Sequence, residues 1–167
     1  MGKTLSISMD KLTASLDEQF ARLHTQSCAF IRIVPPAKLY WQPRERAGVF
    51  PVYSCGEHIL RSAAAVEQTF GGLTTNLWDD PFEWTLPEML ATRDQIQNYL
   101  AEVEATRRRG FDLIKSDGDL TKEIALPSGE KQILCALLMG TLLRAAHYQG
   151  RAFATFRLFS DESLPHI

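Results

Sequence analysis

The chain has 167 residues, 45% of them hydrophobic and 23% charged, with 20 acidic against 18 basic side chains and a formal net charge of −2. That length suits one domain over residues 1–167 with a sizeable core, and the near-balanced charge supplies no global field for nucleic acid or an anionic membrane. No apolar run approaches the roughly 20 residues of a spanning helix, and no basic patch followed by an apolar stretch marks a secretory signal, so a soluble cytoplasmic protein is expected.

Met1-Gly2-Lys3-Thr4-Leu5-Ser6 fits a myristoylation pattern; the match is short, and a frayed terminus is the plainer reading. Mostly three- and four-residue spacing of Met9, Leu12, Leu16, Phe20, Leu23, Phe30 and Ile31 predicts a first helix from about Ser8 to Val34, ended by Pro35-Pro36. Residues 38–53 then read as a long connection carrying Tyr40, Trp41 and Phe50 and folding back over one end of the protein. Ser54-x-x-Glu57 is a capping box opening a second helix, which is expected to run to about Phe70 and break at Gly71-Gly72.

Thr85-Leu-Pro-Glu88 predicts the start of a third helix, running to about Lys115. Arg107-Arg-Arg109 near its end reads as a solvated helix end rather than a nucleic-acid contact. After a turn at Ser116-Asp-Gly-Asp119, Ser128-Gly129-Glu130 is expected to open a fourth helix reaching about Phe159. No segment reads as a convincing strand, so an all-α bundle follows. Cys28, Cys55 and Cys135 are odd in number and form no C-x-x-C, which argues for reduced thiols. Cys55 sits near a helix N-terminus, a position that can lower a thiol's pKa, although a buried, inert thiol is the plainer reading.

Two segments resemble a known family. Ser54-Cys-Gly-Glu-His-Ile-Leu-Arg61 is similar to the second-helix signature of the DinB/YfiT-like family, and Leu142-Leu-Arg-Ala-Ala-His-Tyr-Gln-Gly-Arg151 to its last-helix signature. Ile33-Val-Pro-x-x-x-Leu39-x-Trp41-x-Pro43 and Asp117-x-Asp119-Leu120 resemble further parts of it, in the family's order. The resemblance implies an up-down-down-up four-helix bundle with a long crossover between helices 1 and 2, often a homodimer. It also implies a divalent metal held by one histidine of helix 2 and two of helix 4, and in some members thiol-dependent transfer with bacillithiol, mycothiol or glutathione.

The family's three histidine positions fall here on Arg61, Arg144 and Tyr148. Positions 144 and 148 keep the i, i+4 geometry, with side chains about 40° apart on one helix face, but arginine offers only donors and tyrosine is normally neutral. A site built for a cation becomes one suited to a small carboxylate or phosphate. Between Lys131 and Ser160 there is no Asp or Glu, so Arg144 has no partner on its own helix. Two outcomes follow: Glu57, Arg61 and Arg144 close into an ion-pair network, or Arg61, Arg144 and Tyr148 line an open anion site with His58 and His147 at its rim.

No cofactor is expected on this reading. The alternative is a shifted Zn or Ni site using His58 and His147 with Glu57 or Glu67, serving hydrolase-like or thiol-dependent S-transferase chemistry with a low-molecular-weight thiol. A third reading is a homodimeric scaffold. No nucleophile–base pair can be read from spacing, so the sequence does not decide whether the protein is an enzyme.

Overall fold

The computed structural model describes residues 10–43, 53–83 and 90–166. Four helices dominate it: α1 (Lys11–Ile33), α2 (Cys55–Thr75), α3 (Arg93–Asp112) and α4 (Leu134–Phe156). A short antiparallel hairpin, β1 (Glu123–Ala125) and β2 (Lys131–Ile133), precedes the last helix, with Ile124 opposite Gln132. The architecture is the expected all-α bundle.

Specific contacts set the helix directions. Along α2 and α4, Cys55 Sγ faces the Ala152 carbonyl, the Ser62 hydroxyl donates to the Ala145 carbonyl at 2.8 Å, and the hydroxyls of Thr69 and Thr141 meet at 2.7 Å. Rising numbers on one helix meet falling numbers on the other, so the pair is antiparallel. Between α1 and α3, Gln97 reaches the Cys28 carbonyl and Arg107 reaches Asp17, again antiparallel. Gln149 of α4 donates to the Leu23 carbonyl and Ser27 Oγ of α1, and Phe153 stacks on Phe30, so these two helices run parallel.

The result is up-down-down-up, with α1 and α2 across the bundle's diagonal. The end of α1 and the start of α2 therefore lie at the same end of the bundle, where the Gly56 amide donates to the Leu39 carbonyl. Because α2 and α3 run parallel, the end of α2 and the start of α3 lie at opposite ends of the bundle. Phe20, Phe70 and Phe111 pack at one end of the core with centroids 5.2–5.8 Å apart, and Phe30, Phe153 and Phe156 at the other.

Local signals were read well where partners are close in sequence. The Ser54/Glu57 capping box forms, with the Glu57 amide donating to Ser54 Oγ and the Ser54 amide to the Glu57 carboxylate. The helix does not stop at Gly71-Gly72, however. It continues to Thr75 and ends at Asn76 in the left-handed conformation (φ 59°). Gly72 serves packing instead: a Cβ there would lie 2.2 Å from the Trp78 ring.

The expected start of the third helix at Thr85–Glu88 and the pattern at Met1–Ser6 lie outside the described residues. Helix α3 begins at Arg93, behind a capping box of Thr92 and Gln95. Ser128-Gly129-Glu130 opens no helix; it is the hairpin turn, with Gly129 at φ 84° and the Leu126 amide donating to the Glu130 carbonyl. The 116–119 segment does more than turn the chain. The Asp117 carboxylate accepts from the Leu12 and Thr13 amides and the Thr13 hydroxyl, capping α1 from a distant segment.

Candidate functional site

Arg61, Arg144 and Tyr148 lie on one surface. With Ala64, Ala65, Gln68, Asp80 and Phe82 they line a hollow of about 80 Å³ between α2, α4 and the turn at Pro81–Glu83. Helical spacing explains the assembly: Arg61, Ala64, Ala65 and Gln68 share one face of α2, and Arg144 and Tyr148 share one face of α4. The alanines keep the floor low.

The two arginines are held differently. The Arg61 guanidinium lies 4.1 Å over the Tyr53 ring and 5.8 Å from that of Phe82, so aromatic faces fix its plane. Arg144 is exposed and loosely held, with its Nη2 at 3.5 Å from the Ala65 carbonyl and 3.4 Å from Gln68 Oε1. Both contacts are at the long limit for hydrogen bonds. Among the described residues no carboxylate stands within ion-pair distance of either guanidinium.

The ion-pair network through Glu57 does not form. Its carboxylate accepts from the Ser54 amide and hydroxyl at 2.8 Å and from Gln42 at 3.2 Å. Burial alone would raise its pKa, but these hydrogen bonds from Ser54 and Gln42 hold it below the usual carboxylate value.

His58 is not at the rim. It is 2% exposed, sits edge-on to Tyr53 at 5.5 Å, and its Nδ1 is buried with no hydrogen-bond partner. Burial, then the positive charge of Arg151, push it down to about 4, with Arg61 and His147 adding to the effect and Glu57 opposing it. His147 is exposed, and the Tyr148 ring has His58 at 6.4 Å and His147 at 6.0 Å.

The side chains of the hollow do not suit a divalent metal. Arg61 and Arg144 offer only donors, and among the described residues no three His, Cys, Asp or Glu side chains gather in a cation-holding cluster. Glu67 is committed elsewhere: its carboxylate accepts the Tyr99 hydroxyl, and burial raises its pKa. It borders a larger groove of about 520 Å³ between α2, α3 and the chain after α2, with Thr74, Thr106 and Arg109. That groove is bigger than the hollow but brings no pair of unpaired cations together, so the hollow is the stronger binding candidate.

Cys55 is fully buried and pushed up to about 12 by burial, which outweighs the helix N-terminus. It is a packing residue. Sequence reasoning missed Gln68, Asp80 and Phe82 as members of the hollow. The i, i+7 relation of Arg61 and Gln68 was a usable signal for the first; the loop carrying the other two offered none.

The fold matches the crystal structure of a DinB-like protein from Bacillus cereus ATCC 10987, with a TM-score of 0.68, covering 92% of this chain and 96% of that one at 14% sequence identity. No protein-family model matches the chain, and no curated protein matches it in sequence. The protein thus has a DinB-like fold.

Proposed function

We propose that the hollow between α2 and α4 binds a small anion, a carboxylate or phosphate, without a metal. Arg61 and Arg144 supply charge and paired donors, and Tyr148 supplies a hydroxyl. The observation that carries this reading is the pair of guanidinium groups on one hollow with no carboxylate paired to either among the described residues. Arg61 is half-buried, so its charge is partly desolvated and gains from a bound anion, while exposed Arg144 adds a second donor set at the mouth. The stacking of Arg61 on Tyr53 supports it further, because a guanidinium whose plane is already fixed loses less freedom on binding.

The test is calorimetric titration at low ionic strength with propionate and with inorganic phosphate. Saturable binding is expected for at least one, weakened about tenfold or more by Arg61→Ala or Arg144→Ala, as hydrogen bonds to charged groups of about 1.5–3 kcal/mol require. No binding of either anion, or binding unchanged in the double variant, defeats the reading.

A further inference from the structure

Asp80 also lines the hollow, and a site for a plain anion has no use for it. A carboxylate in the wall repels an anionic ligand, unless it has been neutralised by the neighbouring arginines. Here it has not: neither Arg61 nor Arg144 lies within ion-pair distance of it. Its Oδ1 instead accepts the Phe82 amide at 3.0 Å, which orients the carboxylate and leaves Oδ2 with no protein donor among the described residues. The hollow therefore presents two cations and one anion on the same small surface, each kept apart from the other sign.

Resting on the anion-site reading above, we propose that the ligand is zwitterionic and carries an α-amino carboxylate head group. Its carboxylate lies toward Arg61 and Arg144, and its ammonium toward Asp80.

Three features fit this class. Volume is the first. About 80 Å³ holds roughly half a dozen water-sized groups, at the ~10–15 Å³ that one needs, which is the scale of the amino, α-carbon and carboxylate atoms. The second is polarity. Gln68 donates its amide nitrogen to the Trp78 carbonyl at 2.9 Å, so its oxygen is turned toward Arg144. That fixed oxygen accepts from Arg144 and so holds its guanidinium beside the hollow, on the side assigned to the ligand's carboxylate. The third is selectivity: Asp80 disfavours carboxylates that lack the ammonium, and the arginines disfavour amines that lack the carboxylate. A planar carboxylate also suits the fixed fork of Arg61.

The experiment is a ligand-observed NMR titration of the full chain with L-alanine, propionate and L-alaninamide. L-alanine is expected to bind at least tenfold more tightly than propionate, and L-alaninamide not to bind measurably. Asp80→Asn, at an exposed position, should reduce the alanine-to-propionate ratio to about one, with the circular dichroism melt confirming an intact fold. Propionate binding as tightly as L-alanine to the unaltered protein overturns the zwitterion proposal while leaving the anion site standing. Failure of both to bind overturns the zwitterion proposal, and overturns the anion site as well only when inorganic phosphate also fails to bind. A preference for L-alanine that survives Asp80→Asn removes Asp80 from its role and sinks the proposal.

Discussion

His58 shows how one buried ring shapes the behaviour of the protein. The unfolded chain takes up the imidazole proton near the ordinary value of 6.5, whereas in the fold it binds only near 4, because burial and the charge of Arg151 disfavour the cation. Between those values the unfolded state holds more proton, so stability is fully present above about pH 6.5 and falls as pH drops toward 4. The gap corresponds to at most about 3 kcal/mol. His58→Phe keeps a ring beside Tyr53 and Tyr148 and removes the titration. The loss of urea stability between pH 7 and pH 5 should therefore be smaller in His58→Phe than in the unaltered protein. His24, also lowered by burial, is present in both and cancels in the comparison. Equal losses in the two proteins would show that His58 is not the titrating group. The same residue marks the limit of the sequence reading. Spacing placed His58 one turn before Arg61, but whether its ring pointed to the rim or the core depended on Tyr53 and Tyr148, which lie on other elements.

At the scale of helices, glycines of identical propensity take opposite roles. A Cβ on Gly110 of α3 would stand 2.4 Å from the fully buried Phe70 ring, while one on Gly140 of α4 would meet nothing within 4 Å. Gly140→Ala should stabilise the protein by about 0.5–1 kcal/mol through helix propensity alone. Gly110→Ala should destabilise it by about 1–3 kcal/mol, since overpacking against an immobile ring outweighs propensity. Chemical unfolding of the two variants checks the signs, and matching signs would refute the packing argument. Helix existence and the α2 cap were legible because apolar spacing and Ser54–Glu57 are local. What failed depended on distant partners or on turn chemistry. Gly72 reads as a stop until Trp78 is seen packed against it. Ser128-Gly129-Glu130 reads as a helix start until the pairing of Glu123–Ala125 with Lys131–Ile133 turns it into a hairpin loop. In the candidate site, the signature spacing of Arg61, Arg144 and Tyr148 makes them stand out in the sequence. Asp80, on a turn between parallel helices, has no period to reveal it.

Across the whole molecule, the start of α1 meets the end of α3 through Phe20 against Phe111 and through Arg107, which bridges the two helices. The sequence reads Arg107 to Arg109 as a solvated helix end. Arg108 and Arg109 are exposed, but the Arg107 side chain is only 4% exposed and bonds Glu104, 9% exposed, and Asp17, 48% exposed. Burial alone would raise the pKa of Glu104, yet the hydrogen bonds from Arg107 and Arg108 hold it below the ordinary carboxylate value. Removing Arg107 strands the Glu104 charge in the interior with only the exposed Arg108 to meet it. Breaking a buried pair on one side costs about 3–5 kcal/mol, a large part of the roughly 5–15 kcal/mol that holds a domain together. Arg107→Met should therefore lower the melting temperature by about 6–20 °C, at roughly 2–4 °C per kcal/mol for a chain of this size. Glu104→Leu combined with Arg107→Met leaves no buried charge, since Asp17 is half exposed and can hydrate, and a matched apolar pair is often no less stable than the ions it replaces. The double variant should recover most of the loss in a urea titration. A double variant no more stable than Arg107→Met would show that the cost lies in lost arginine packing, including its contact 5.4 Å from the Phe111 ring, rather than in a stranded charge.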